Sequence, residues 1–424
     1  MPGPFDLAAK RNVSDPLVPP ADLARVEQLS CRPAMAELLA WFARRRQWID
    51  EQHLALCRIP APTFQEGPRA EAMAALLASL GWIAKIDRAG NVVASLPSLR
   101  PGPVIAITAH LDTVLAPRRP EDIRLQDTGM ILGPGVSDNG AGLAALAALA
   151  RALAEIPSAM AARQLLLVAN VCEEGEGNLS GMRYLCQQSP FASRLHSLIV
   201  LDGPDIHHIT SQALACRRFE ISVTGPGGHS WSDRGMANPV HALARAIAWF
   251  CEERSASPPS APSSWNFGVV EGGATVNAIP SSARVKVDLR SQSAAALEDL
   301  AAGLSSVVER AVRLENEQAR LGRITSRIRE TGARPGGELP PDSPLLAAIR
   351  SVDAALGIRA EADCASTDAN IPLSMGLPAL SIGAGGAGGG AHTPNEWYSP
   401  EGRELGLRRI ALLAALLLES LPAS

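Results

Sequence analysis

The chain has 424 residues, 46% hydrophobic and 19% charged, with 39 basic and 43 acidic side chains for a net charge of −4. This length suggests two or three domains with sizeable cores. The apolar content excludes a disordered chain. Balanced charge without a basic block argues against nucleic acid or an acidic membrane surface as partner. Seven scattered cysteines (Cys31, Cys57, Cys172, Cys186, Cys216, Cys251 and Cys364) form no Cys-x-x-Cys pair, so neither a disulfide framework nor a thiolate zinc site is expected. No secretory apolar core is visible near the start, and no apolar run approaches the ~20 residues of a membrane span. The expected location is cytoplasmic.

Residues 1–33 are rich in proline and polar groups and read as a loosely ordered arm. From 34 to 59 apolar residues recur at helical spacing until Pro60-Ala61-Pro62 stops the helix. Residues 69–80 read as a second helix ended by Gly81. Apolar strands at 104–109, 165–172 and 198–201 then alternate with helices at 143–153 and 181–187, the texture of a sheet covered on both faces. Near Cys216 the texture changes. Two alternating strands, 218–224 and 284–289, and two helices, 237–252 and 294–314, predict a small α+β insert with sheet on one side and helices on the other. Residues 255–264 read as a Pro/Ser loop. After Thr331 the α/β texture returns. The expected domains are an arm at 1–33, a catalytic part at 34–215, an insert at 216–331 and a second catalytic part at 332–424.

Chemistry gathers at strand ends. The strand 104–109 runs into His110-Leu111-Asp112, 165–172 into Glu173-Glu174, and 198–201 into Asp202. The strand 378–382 leads through a glycine-rich loop to His392. In open α/β sheets this carboxyl edge is where ligands bind. Asp138, in Gly135-Val136-Ser137-Asp138-Asn139-Gly140, stands just before a helix. Singly, each group has a plain explanation: a helix N-cap for Asp138, a solvated loop for the glutamates, a turn for Asp202, a surface histidine for His110 or His392. Their repetition at one edge favours function. Two histidines and three carboxylates (His110, Asp138, Glu174, Asp202, His392), without thiolate, suit zinc or a similar divalent ion. Of the adjacent glutamates, one can bind metal while the other takes a proton from bound water. Asp112 lies close enough to His110 to hold the second imidazole nitrogen.

These segments, with Gly227-Gly228-His229-Ser230, Val276-Asn277-Ala278-Ile279-Pro280 and His392-Thr393-Pro394-Asn395-Glu396, make the chain from about 59 to 398 resemble the M20 family of metal-dependent peptidases and amidohydrolases. The resemblance implies an α/β fold: a mixed-sheet zinc-hydrolase catalytic domain covered by helices, interrupted by a small α+β sandwich that serves as lid and dimerisation domain. It implies two Zn2+ per subunit, with Co2+ or Mn2+ as possible substitutes. Asp138 would bridge them, His110 and Asp202 would complete one site, and Glu174 and His392 the other. Glu173 would be the general base, and Asp112 would orient His110. A cis peptide bond would follow Asp138, with Gly140 making room. His229 would stabilise the oxyanion in a neighbouring subunit's site, and Asn277 and Arg290 would contact a substrate carboxylate.

The expected activity is hydrolysis of an amide bond in a small peptide by a metal-activated water. An N-acyl amino acid deacylase is the alternative within enzymes. A catalytically silent metal-binding module and a one-metal enzyme are further alternatives. The expected partners are a small peptide or N-acyl amino acid substrate and a second copy of the chain, with no nucleic acid and no membrane.

Overall fold

The apolar runs at 104–109 and 165–172 become strands Val104–His110 and Leu165–Asn170, in which every residue is buried. Successive side chains of a strand point to opposite faces, so complete burial means that both faces are covered. These strands lie inside a nine-stranded mixed sheet in a computed structural model that describes residues 19–160 and 164–422. Its order is Ile83–Ile86, Val92–Ser95, Leu165–Asn170, Val104–His110, Leu195–Leu201, Ala379–Ile382, His208–Ala213 and Gly337–Glu338, with Glu361–Ala365 pairing to His208–Ala213. The four strands from Leu165–Asn170 to Ala379–Ile382 run parallel, so their carboxyl ends share one edge. Helix Gly140–Glu155, almost wholly Ala, Leu and Gly along its buried face, packs on the first two of these parallel strands. Helices Pro344–Leu356 and Arg403–Ser420 pack against each other and on the same sheet. Among the described residues, no helix is long and apolar enough to cross a membrane.

A second hydrophobic core, separate from the first, lies within the insert. Its antiparallel sheet has the order Ser263–Gly272, Ser282–Ser291, Ala215–Thr224, Thr325–Arg334. Val285, Val287 and Leu289 alternate inward beneath helices Pro239–Ala256 and Ala294–Gln318, and Phe250 closes that core against Trp265 and Phe267. The intervening Arg284, Lys286, Asp288 and Arg290 occupy the other face, as a two-residue period requires.

The structure differs from the sequence reading in several places. Within 1–33, residues 1–18 lie outside the described residues, but Pro20–Ser30 is a helix whose Val26 and Leu29 are buried. It packs against Pro344–Leu356 and Arg403–Ser420, so proline content there marks a helix start and not a loose arm. The helix expected over 34–59 is two, Pro33–Arg44 and Arg46–Cys57, broken at Arg45. The insert's main sheet has four strands instead of two, and a two-residue ladder, Gly228–His229 with Ala278–Ile279, lies beside it in the chain. Ser263–Gly272 begins inside the expected Pro/Ser loop, and Thr325–Arg334 runs past Thr331.

Candidate functional site

The carboxyl edge of the parallel strands delivers the polar groups. His110 ends strand Val104–His110, and Asp202 follows strand Leu195–Leu201. Glu173 and Glu174 stand in the loop after Leu165–Asn170, and Asp138 lies two residues before helix Gly140–Glu155. His392, in left-handed backbone conformation (φ 64°), follows the short strand Ala387–Gly389.

These side chains converge. His110 Nε2 lies 3.0 Å from Asp138 Oδ1 and 3.7 Å from Asp202 Oδ1. His392 Nε2 lies 3.1 Å from Asp138 Oδ2 and 2.9 Å from Glu174 Oε1. The two oxygens of Asp138 therefore face two different donor groups. Three sets, His110–Asp138–Asp202, His110–Glu173–Glu174 and Asp138–Glu174–His392, each offer ligand atoms within 4.8 Å of one another. Nitrogen and carboxylate donors without sulfur fit a borderline divalent ion. The peptide bond Asp138–Asn139 is cis. Gly140 follows where a Cβ would meet Cys57 Sγ at 2.4 Å and Gly135 O at 2.7 Å, so no larger residue fits.

The electrostatics are those of a packed ionic cluster. Burial would lower the His110 imidazole, but Asp112, Asp138 and Asp202 reverse this and raise it well above its usual range. Burial would raise Asp138, but hydrogen bonds from His110 and His392 hold its carboxyl well below the usual carboxylate range. The bond to Asp138 pushes His392 up to about 9. Burial raises the Glu173 carboxyl well above its ordinary value, against the opposing pull of Arg334 and His110.

Asp112 meets His110 Nδ1 first through its backbone carbonyl, at 2.9 Å, with a carboxylate oxygen at 3.6 Å. That carboxylate accepts the N–H groups of Glu173 and Glu174, each at 2.9 Å, and the hydroxyl of Thr63 at 3.0 Å. It thus holds the loop of the paired glutamates as much as the imidazole.

The insert residues are not brought into this cluster. His229 is exposed, paired to Ala278 in a two-residue ladder, and its Nδ1 accepts backbone N–H groups of Trp231 and Ser232. Asn277 is exposed, and its carbonyl accepts the N–H of Ser230. Arg290 is half-buried and donates to Asp288 at 2.6 Å. Its ladder row runs Arg290–Cys216–Arg334, and opposed residues share a face. Arg334 reaches Glu173 Oε1 at 2.9 Å and Ser366 at 3.1 Å, so Arg290 stands on the insert face that meets the glutamate loop. Lys286 pairs with Glu176 at 2.8 Å, and Arg218 donates to the Gly175 carbonyl on that same loop.

Sequence reasoning missed Arg334, buried against Glu173, and Asp368, whose buried carboxyl accepts from Asn170 at 2.6 Å and is pushed up to about 7 by burial. Neither stands at a strand end read from the apolar pattern, and only the fold brings them near.

Residues 106–419 match the sequence profile of peptidase family M20/M25/M40. No curated protein matches the chain. Among solved structures, a tripeptidase from Staphylococcus aureus is similar at 18% identity and a TM-score of 0.69, covering 88% of this chain and 99% of its own. The di-peptidase Dug1p from Saccharomyces cerevisiae is similar at 14% identity and a TM-score of 0.69, covering 91% and 98%. The YXEP protein of Bacillus subtilis, described as a dinuclear metal binding peptidase from the M20 family, is similar at 17% identity and a TM-score of 0.63, covering 88% and 99%. These likenesses establish the fold.

Proposed function

The chain belongs to peptidase family M20/M25/M40, and from that premise we propose that it is a zinc-dependent hydrolase of small peptides, with water as nucleophile and Glu173 as general base. The observation that carries this reading is the split of Asp138, one oxygen towards His110 and the other towards His392. His110, Asp138 and Asp202 would hold one cation, and Asp138, Glu174 and His392 the other. Zn2+ suits these donors, with Co2+ or Mn2+ as substitutes. When bound, the cations acidify the attacking water and polarise the substrate carbonyl.

Glu173 takes a proton as the water oxygen attacks the carbonyl carbon, and returns it to the amine as the C–N bond breaks. A carboxyl raised by burial suits that exchange. Asp112 fixes the backbone on which Glu173 and Glu174 ride. We assign His229 as a donor to the oxyanion in a partner subunit's site. Its Nδ1 already accepts backbone N–H groups, which leaves Nε2 as an exposed N–H donor. Asn277 and Arg290 are read as contacts to the substrate's free carboxylate, a group that a guanidinium grips with two parallel hydrogen bonds. A homodimer through the insert is supported by the edge strand Ser263–Gly272, which exposes Val269 and Val270. A reducing, cytoplasmic setting is supported by seven free cysteines.

The test is a panel of dipeptides, tripeptides and N-acetyl amino acids with zinc-replete enzyme, before and after chelation, with metal counted per chain. We expect two metals per chain and peptide cleavage that chelation abolishes and zinc restores. Arg290→Ala should raise KM for substrates bearing a free carboxylate by roughly tenfold, with kcat nearly unchanged. Cleavage of N-acetyl amino acids alone would identify an N-acyl amino acid deacylase instead. One metal per chain would identify a one-metal enzyme, and bound metal without turnover a silent module.

A further inference from the structure

Three buried carboxylates near the donor cluster stand outside the proposed ligand set and face backbone N–H groups. Asp112 holds Glu173 and Glu174, and Glu66 accepts from the N–H groups of Phe64 and Cys172. The third, Glu396, is 2% exposed and makes the most extensive set. Its Oε1 accepts the N–H of Ser137 at 2.7 Å and of Asp138 at 2.8 Å, and its Oε2 accepts the N–H of Gly135 at 2.7 Å. Its own carbonyl accepts the N–H of Gly133 at 2.9 Å. No other side chain of similar size offers acceptors on both terminal atoms: the amide of glutamine would turn an N–H2 towards at least one of these donors.

Glu396 therefore joins two segments that lie more than 250 residues apart in the chain. One carries Asp138. The other carries His392, four residues upstream, held at a φ of 64° that non-glycine residues seldom adopt. Asp138 and His392 approach to 3.1 Å, and no hydrogen bond other than those of Glu396 joins the loop 133–138 to 392–396 besides that contact.

We propose that Glu396 is a positioning residue for metal binding: its carboxylate, clasped by the Gly135, Ser137 and Asp138 N–H groups, sets Asp138 and His392 at the separation that one cation requires. The inference rests on the two-metal reading above. Glu396 touches neither substrate nor cation in this role. It acts through the backbone of Asp138, as outer partners do when they orient metal ligands.

The test is Co2+ titration of the metal-free full-length chain, followed by its visible absorption and by competition with a chelator, for the wild type, Glu396→Gln and Glu396→Asp. Wild type should take two Co2+. Glu396→Gln should bind at least one of them roughly 10–100-fold more weakly, with an altered absorption band. Glu396→Asp keeps the charge on a shorter stem and should fall between the two. A folded Glu396→Gln chain with wild-type affinity and spectrum overturns the proposal. If that variant does not fold, Glu396→Asp decides: weaker binding supports the proposal and unchanged binding overturns it. A wild type that takes no Co2+ removes the functional reading and this inference together, whereas two Co2+ bound by wild type and by Glu396→Gln with the same affinity and the same spectrum removes this inference alone.

Discussion

His110 and His229 occupy opposite situations. His110 is buried at the end of a fully buried strand, with Nδ1 bonded to the Asp112 carbonyl and Nε2 facing Asp138 and Asp202. His229 sits on a two-residue ladder in the insert, with Nδ1 satisfied by its own turn and the rest of the ring exposed. The contrast extends to the neighbours of each. The half built on the large sheet supplies polar groups that are crowded and mutually charged, while the insert supplies Asn277 and His229 on an exposed tip beside Trp231 and Val276, which are 74% and 104% exposed. A histidine with every polar atom partnered inside its own chain is already set for its task. One with a single satisfied nitrogen still has a donor open to solvent, which is where the proposed partner-site role would begin.

Three measurements sharpen or break that contrast. The largest effect is expected in the crowded half. Glu173→Ala should retain both metals and lose turnover by roughly 10²–10⁴-fold, the usual worth of a positioned general base. Steady-state kinetics with metal analysis reads this, and unchanged turnover would remove Glu173 from its role.

The next effect belongs to the exposed tip. His229→Ala should lower kcat by about 10²–10³-fold, as loss of one oxyanion donor does, with metal content intact. Mixing inactive Glu173→Ala and His229→Ala chains should restore activity, because a mixed dimer joins one intact Glu173 to the partner's intact His229. No recovery after subunit exchange would mean that the tip serves its own chain or none.

The smallest effect concerns a prop beneath the Asp138 loop. His53 is fully buried, bonds the Val136 carbonyl at 2.7 Å, and is lowered by burial from 6.5 to about 3. The unfolded chain takes up this proton below pH 6.5, while the folded chain refuses it until about pH 3. The stability this group preserves is therefore complete above pH 6.5 and is lost as pH falls towards 3. Between pH 7 and 4 the wild type should lose a few kcal/mol more than His53→Gln in denaturant unfolding. Parallel curves for the two proteins would show that His53 is not held neutral by the fold.

Much of the half built on the large sheet was legible because its strands are continuous apolar runs that end abruptly in His110, Glu173 or Asp202. That pattern needs no knowledge of which strands are neighbours. Strand Thr325–Arg334 left no such trace: it is an edge strand with Ile328 as its one large apolar residue, so its sequence alternates nothing. Arg334 was hidden with it, since a lone arginine reveals burial only through a partner, and Glu173 lies 161 positions away. Glu396 was visible as part of His392-Thr393-Pro394-Asn395-Glu396, but its task lies in backbone N–H groups that no side-chain pattern encodes. Helix Pro20–Ser30 was obscured by prolines that prepare its first turn.

The place of strand Ala379–Ile382 governs how the molecule can be made. It fits between Leu195–Leu201 and His208–Ala213, both of which precede the insert in the chain. Synthesis proceeds from the N-terminus, so the insert's own core can close on the ribosome while the larger sheet still has a gap at its centre. Until the last strand emerges, two neighbouring edges stay open to pairing with other nascent chains. The fifth proposed donor, His392, arrives later still, and the candidate metal cluster is thus among the last features that translation completes.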